Sequence, residues 1–342
     1  MEALFQAVNA ICGKIQIASN LFWDFPTNFD WYAKIPILGN FSLAIILLVG
    51  TGIYFTFRLR FIQVRKFRYG LHVLMRQKSS GTGISSLASF LLSTAMRVGP
   101  GNILGVTGAI STGGPGALFW MWVAAFFGMA TKYAEGVLAV KYREVDDQGN
   151  ISGGPMYYIK NGLGDKWKPL GTLFAIFGVL VAYFGIGTFA QVNSIIDIAN
   201  ITFGVSPYVV GGIITVLVAA ITLGGLQSIA KTAEKIIPAM AVLYFLVTVS
   251  ILVIFADQIP NAVYQIIHDA FTPTAATGGF LGATVMLAMR SGIARGVFSN
   301  ESGLGSAPIV AAAAKTKWPA EQGLISMTGT FIDTIIICTL TA

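Results

Sequence analysis

The stretch "STAMRVGPGNILGV", Ser93–Val106, lies inside a long apolar segment, and its centre is a poor helix former. Inside a helix, glycine costs about 1 kcal/mol and proline about 3 kcal/mol relative to alanine. Gly99-Pro100-Gly101-Asn102 therefore predicts a break in a helix that would otherwise cross a bilayer. Such a break is tolerated at membrane depth only where protein or a water-filled cavity surrounds it. It indicates either a binding site or a close helix contact of the kind that small residues permit.

The composition of the whole chain is that of a polytopic membrane protein. Of its 342 residues, 55% are hydrophobic and 11% are charged, and the mean hydropathy is +0.72. A soluble domain carries about 25% charged residues. The two cysteines and two histidines are scattered, and the sequence holds no HExxH motif or Cys/His set. We therefore expect no enzyme and no catalytic residues.

Apolar runs of about 20 residues, the length that crosses a bilayer core, predict eight spans. They cover about 37–57, 84–112, 116–140, 170–200, 207–226, 236–256, 279–313 (interrupted) and 322–342. Sixteen lysines and arginines lie in the connections on one side, against only Lys14 and Lys34 on the other. Because basic residues concentrate on the cytoplasmic side, the N-terminus is predicted outside. The net charge of +7 thus indicates contact with anionic lipid and no nucleic-acid partner.

A second polar, glycine-rich run interrupts the seventh span. It reads "AMRSGIARGVFSNESGLGSAP", residues 288–308, and by the loop charges it travels inward, opposite to the first broken span. Two interrupted helices of opposite direction are typical of an inverted-repeat transporter. The predicted regions are an N-terminal interfacial helix and external segment (1–36), an extra span with a basic cytoplasmic loop (37–83), a first repeat of five spans (84–256), and an external loop with an incomplete second repeat (257–342).

Several polar side chains stand within predicted spans. Gln191 and Ser194 are three residues apart, share a helix face, and either line a cavity or hold helices together. Lys132 and Glu135 predict a plain helical ion pair. Asp333, in the last span, is a candidate partner for one of the arginines Arg97, Arg290 and Arg295, since ionisable groups in membranes pair inside the bundle.

The quoted breaks belong to longer stretches that resemble the alanine or glycine:cation symporter family. These are "RVGPGNILGVTGAISTGGPGALFWMWVAAFFGMATKYAEGVLAVKYRE", "GGPMYYI", "ARGVFSNESGLGSAPIVAAAAKT" and "GLISMTGTFIDTIIICT". The resemblance implies sodium-coupled import of alanine or glycine across a prokaryotic plasma membrane by alternating access. It also implies the all-α, five-plus-five inverted-repeat fold of the amino acid–polyamine–organocation superfamily. Family members continue for roughly three more spans, so we expect a chain truncated after about eight.

The resemblance also assigns roles at the first break, which is similar to the G-x-G-N break of the neurotransmitter:sodium symporters. It implies a sodium ligand at Asn102, with freed carbonyls, including that of Val98, as further ligands. Gly99, Pro100 and Gly101 are predicted to meet the substrate carboxylate at a half-helix N-terminus. The family often has threonine where this chain has Pro100, which carries neither a hydroxyl nor an N–H.

At the second break, the resemblance implies that Ser291 and Gly292 meet the substrate amino group or the ion. Gln191 is predicted to hydrogen-bond the substrate, and the "SNESG" run to serve gating or helix packing. The alternative function is an ion channel or another cation-coupled small-solute transporter, although no repeated selectivity-filter motif is present.

Overall fold

The computed structural model describes residues 17, 21, 24–35, 38–76, 99–184, 186–272, 285–316 and 318–342. Its helices are α1 (Asp30–Ala33), α2 (Leu43–Arg58), α3 (Ile62–Arg65), α4 (Phe67–Arg76), α5 (Pro100–Gly113), α6 (Gly116–Lys141), α7 (Pro155–Leu163), α8 (Lys168–Phe184), α9 (Ile186–Phe203), α10 (Pro207–Thr222), α11 (Gly225–Ile254), α12 (Ile259–Asp269), α13 (Val285–Asn300), α14 (Ser306–Ala312), α15 (Pro319–Thr330) and α16 (Cys338–Thr341). A π-helix, Phe331–Ile337, joins α15 to α16. Short 3-10 turns occupy Leu38–Asn40 and Asp165–Trp167. The strands β1 (Glu144–Val145) and β2 (Ile151–Ser152) form an antiparallel hairpin.

The all-helical class is confirmed, and several helices match predicted membrane spans. Among the described residues, three helices are long and apolar enough to cross a membrane: Gly116–Lys141, Gln227–Ile254 and Pro319–Thr341. Two shorter apolar helices, α2 and α10, accompany them. The predicted span 170–200 falls on α8 and α9, on either side of residue 185, which lies outside the described residues. The inverted repeat and the count of eight spans stay predictions, and the interfacial helix predicted for residues 1–20 lies almost wholly outside the described residues.

Helix α6 is the centre of the packed part of the molecule. It begins directly after the turn at Gly114 and Pro115, and α2, α13 and α15 pack along it. Small residues let these backbones approach closely. A Cβ built on Gly136 would lie 2.9 Å from the carbonyl oxygen of Gln322 in α15, and one built on Gly292 would lie 2.2 Å from that of Ala117. Neither position has room for a side chain.

Helices α5 and α13 pack against each other in opposite directions. Near one end, Thr112 Oγ1 donates to Ser291 Oγ at 3.2 Å, and near the other, Asn102 Nδ2 donates to Ser299 Oγ at 3.2 Å. The ten residues from Asn102 to Thr112 span about 15 Å at 1.5 Å per residue. The first break at Pro100 therefore faces the C-terminal end of α13 and lies far from Ser291.

The second interruption lies within the predicted run, 288–308, but not at Ser291 and Gly292. Helix α13 runs without a break through Ser291 and Gly292 and ends at Asn300. The chain leaves the helix at Glu301–Gly305, where Glu301 has φ 55°, Gly303 φ 87° and Gly305 φ 81°. The expectation of a break at Ser291 and Gly292 is wrong, because one glycine costs a helix only about 1 kcal/mol and Gly292 packs tightly against α6.

The start of α5 and the second interruption both lie about halfway along α6, and residues 77–98, which precede α5, lie outside the described residues. Helix α5 has 14 residues and ends at the turn that starts α6, so Pro100 lies about 21 Å from that turn. At the other interruption, a Cβ built on Gly128 would lie 2.8 Å from Ser302 Oγ. Since Gly128 is about 18 Å from the start of α6, the two helix ends meet at a similar depth.

Candidate cation and substrate site

Asn102 connects the first turn of α5 to two other helical elements. Its side chain is buried, with 2% of the residue exposed. Asn102 Oδ1 accepts a hydrogen bond from the N–H of Gly99 at 3.0 Å, which caps the helix. On the other side, Nδ2 donates to Asp333 Oδ1 at 2.8 Å and to Ser299 Oγ at 3.2 Å. One amide thus links the helix start to a buried carboxylate.

Asp333 is the acidic group of this site and lies in the π-helix. Only 1% of it is exposed. Besides the bond from Asn102, its Oδ2 accepts from Ser299 Oγ at 2.8 Å and from Thr334 Oγ1 at 2.9 Å. These three hydrogen bonds orient the carboxylate. Because carboxylate and hydroxyl oxygens suit a hard cation, and π-helical turns occur often at functional sites, the arrangement is suited to a cation.

Two further side chains complete the cluster. Cys338 Sγ lies 3.3 Å from Ser299 Oγ, and Asn300 Nδ2 donates to Thr334 Oγ1 at 3.2 Å. The last two residues of α13 therefore contact the helix that carries Asp333. We refer to Asn102, Ser299, Asn300, Asp333, Thr334 and Cys338 as the polar cluster.

The predicted substrate residues at the first break lie next to the polar cluster. Gly99 is the N-cap of α5, and Pro100 and Gly101 form its first turn. A Cβ built on Gly99 would lie 4.0 Å from Gln191 Nε2 of α9, so the amide of Gln191 reaches this turn. The N–H of Gly101 has no partner within the helix, by helix geometry. Val98, the other predicted sodium ligand, lies outside the described residues.

Ser291 and Gly292 lie apart from this group. Ser291 Oγ accepts from Thr112, about 15 Å along α5 from Asn102, and Gly292 is packed against Ala117. Their role in substrate binding stays a prediction, and they share no pocket with Gly99 in this conformation. Arg290, near them, pairs with Asp24.

A buried ion pair holds the second break. Lys132 Nζ, whose side chain is 1% exposed, lies 3.2 Å from Glu135 Oε2 and donates to the carbonyl oxygen of Glu301 at 2.8 Å. Glu135 Oε1 accepts from the N–H of Gly303 at 3.1 Å. The pair expected to be a plain helical contact therefore satisfies backbone groups that the break leaves without helical partners. We call Lys132 and Glu135 the break clamp.

The C-terminal end of α14 is held by Arg143, which follows the last residue of α6 by two positions. Arg143 Nη1 donates to the carbonyl oxygens of Ala312 and Ala314 at 2.8 and 2.7 Å. These bonds cap the C-terminus of α14 with a cation, the favourable arrangement for a helix dipole. Partial burial lowers the pKa of the Arg143 guanidinium, which still stays charged at neutral pH.

Sequence reasoning missed Thr334 and Cys338 as neighbours of Asp333, and the pairing of Asp333 with an arginine stays a prediction. A usable signal was present, because a single acid in the apolar run "FIDTIIICT" marks a functional position by default. What no pattern showed was which residues meet it, since Asn102 lies 231 positions away in the chain.

Apolar helices that surround buried polar groups, at the depth where one helix begins and another ends, define a class: a multi-pass membrane transport protein. The sequence comparison then identifies the family. Residues 31–342 match the model of the sodium:alanine symporter family, and the chain belongs to this family.

Individual relatives agree with this assignment. An uncharacterized transporter of Haemophilus influenzae is 54% identical over 298 residues, which are 87% of this chain and 65% of the relative. The sodium/alanine symporter AgcS of Methanococcus maripaludis is 48% identical over 302 residues, 87% of this chain and 66% of the relative. The probable sodium/glutamine symporter GlnT of Bacillus subtilis is 42% identical over 306 residues, 88% of this chain and 62% of the relative. The chain spans slightly less than two thirds of these relatives.

Proposed function

We propose that the protein is a sodium-coupled symporter that imports alanine, and also glycine, by alternating access. The observation that carries this proposal is the buried Asp333 carboxylate, which meets Asn102 in the first turn of α5 and Ser299 near the end of α13. A sodium ion there would have oxygens of Asn102, Asp333, Ser299 and Thr334 as ligands, which suit a hard cation.

Asn102 is proposed to couple the ion to the substrate. Its amide nitrogen faces Asp333 in the described geometry, and its oxygen caps the N–H of Gly99. To bind sodium, the amide must turn its oxygen toward the ion, which releases the N–H of Gly99. That N–H, together with the one of Gly101, is then available to the substrate carboxylate at the positive end of α5. Sodium thereby prepares the substrate site, and the two ligands stabilise each other.

The substrate is proposed to be a small amino acid held between the first turn of α5 and Gln191. The amide of Gln191 lies beside Gly99, where it is suited to a hydrogen bond with the bound zwitterion. The family description and the AgcS relative support alanine, whereas the GlnT relative makes glutamine the competing substrate to test.

The proposed orientation places the N-terminus outside, and an inward sodium gradient sets the direction of transport. Two contacts support the grouping of the segments by side, because each joins segments that the loop charges assign to one side. Arg143 reaches Ala314 between predicted cytoplasmic segments, and Trp120 Nε1 donates to the carbonyl oxygen of Ala270 between predicted external ones.

The test is uptake by the protein, expressed from its full-length gene and reconstituted in liposomes. Under an inward sodium gradient we expect labelled alanine to accumulate above its external concentration, and unlabelled alanine to compete better than glutamine. Conduction of sodium without accumulation of alanine would instead identify a channel. Stronger competition by glutamine would overturn the substrate assignment.

Asn102→Ala tests the coupling. We expect sodium affinity to fall about 5- to 20-fold, equivalent to roughly 1–2 kcal/mol, while the preference for alanine over glutamine is retained. A sodium titration of uptake measures the first quantity and competition measures the second. Unchanged sodium affinity would remove Asn102 from the ion site.

A further inference from the structure

A basic surface follows the first described apolar helix. Five basic side chains that α2, α3, the start of α4 and the turns between them contribute are exposed: Arg58, Arg60, Arg65, Lys66 and Arg68. No aspartate or glutamate occurs between residues 31 and 134 of the sequence. The surface therefore carries a concentrated positive charge with no acidic neighbour in its own stretch of chain. We call residues 57–69 the basic corner.

The basic corner is a built turn with a fixed shape. Arg60 and Phe61 both have left-handed backbones, with φ 53° and 55°. The N–H of Phe61 donates to the carbonyl oxygen of Thr56 at 2.7 Å. Beneath the turn, the buried Gln63 donates from Nε2 to Thr56 Oγ1 at 2.9 Å. Non-glycine residues keep such backbones only where surrounding contacts enforce them, so the corner holds its basic side chains in place.

Exposed apolar side chains stand among the charges. Phe57 is 63% exposed, Val64 62% and Tyr69 53%, and the rings of Phe57 and Phe61 meet edge to face at 5.3 Å. Aromatic rings with neighbouring lysines and arginines are the composition of a surface that lies at the headgroup level of a membrane. In water, the same apolar side chains would be unfavourably exposed.

We propose that the basic corner binds the phosphate headgroups of anionic phospholipids in the leaflet that it faces. Charge complementarity selects this occupant, because basic residues next to a membrane span attract anionic lipid. The exposed rings favour a lipid over a soluble anion, since they require an apolar neighbour and a soluble anion supplies none.

The same segment contacts the helix that carries Asp333. The rings of Phe67 in α4 and Phe331 lie 4.7 Å apart, and a Cβ built on Gly70 would lie 3.0 Å from Thr328 Cγ2. Phe331 is two residues before Asp333. A lipid that binds the basic corner therefore also stabilises the position of the start of the π-helix, through these contacts. This consequence rests on the proposed function, whereas lipid binding itself does not.

The binding test uses purified protein without sodium or alanine. The corner variant is Arg58→Gln, Lys66→Gln and Arg68→Gln, which leaves the bonds of the turn intact. The matched control is Lys166→Gln, Lys168→Gln and Lys231→Gln, three exposed lysines removed from the corner. We expect phosphatidylglycerol to raise the thermal midpoint of the native protein and the control more than phosphatidylcholine does. The corner variant should lose this difference.

Three results would overturn the proposal. They are an equal response to the two lipids in the native protein, an undiminished phosphatidylglycerol response in the corner variant, and an equal rise with inorganic phosphate alone. The last result would show a soluble-anion site. A separate measurement compares alanine uptake in liposomes with and without phosphatidylglycerol, where we expect at least a twofold stimulation that the corner variant lacks. Absence of all uptake would count against the proposed function, while the thermal result would still decide lipid binding.

Discussion

Two regions of the chain are both apolar enough to cross a membrane but differ in how they are packed, and the more apolar region is the less buried one. Of the most apolar window in α6, 67% is buried, and the corresponding value for Pro319–Thr341 is 56%. In Gln227–Ile254 of α11 it is 6%. The polar cluster and the break clamp belong to the packed region. In a membrane protein, burial against protein, rather than hydropathy, therefore indicates which apolar helices surround the functional groups, because lipid can cover the others.

The largest expected effect comes from the break clamp. Lys132→Met should destabilise the protein by about 3–5 kcal/mol, since it leaves Glu135 buried without its cation. Lys168→Met, at an exposed position of α8, should change stability by no more than about 0.5 kcal/mol. Thermal unfolding in detergent measures both. Similar thermal midpoints for the two variants would show that the ion pair of Lys132 and Glu135 does not stabilise the protein.

Asp333→Asn should abolish the sodium response. Loss of a charged ligand worth about 3 kcal/mol lowers sodium-driven alanine uptake at least about 100-fold. The matched control, Asp197→Asn, alters an exposed carboxylate of α9 that accepts a bond from Asn193, and should keep uptake within about twofold. Asp333→Glu, which restores the charge, should recover part of the activity. Full activity in Asp333→Asn would contradict the proposed cation site.

A pair of glycine substitutions compares the packing directly. Gly292→Ala should destabilise by about 1–3 kcal/mol, because the added Cβ would lie 2.2 Å from a backbone carbonyl of α6. Gly212→Ala in α10 has no neighbour within 4 Å and should stabilise its helix by up to about 1 kcal/mol. We expect the thermal midpoint to fall for Gly292→Ala and to rise for Gly212→Ala. A neutral Gly292→Ala would mean that α6 and α13 are further apart than described.

The smallest expected effect is that of Gln191→Ala. Removal of one hydrogen bond worth about 1 kcal/mol should lower alanine affinity about fivefold and leave the thermal midpoint unchanged. Binding titration and unfolding are measured on the same preparation. Retained affinity with a lower midpoint would assign Gln191 to helix packing.

The sequence predicts well where local chemistry decides the structure. Helix α6 was expected at 116–140 and spans Gly116–Lys141, and the predicted break begins a helix at Pro100. The position of the second break was not predictable in this way. Glycines and polar residues extend from Ser291 to Gly305, and only packing against α6 determines which of them leave the helix. The neighbours of Asp333 depend on the same long-range register, which no local pattern encodes.

Cys338 gives the polar cluster a natural chemical reporter. Its thiol is buried beside Ser299 and contacts Asn102, so reagents dissolved in water reach it only when the surrounding helices separate. In a protein whose Cys12 is replaced by serine, the rate of thiol labelling from either side of the membrane would report how often, and toward which side, this centre opens.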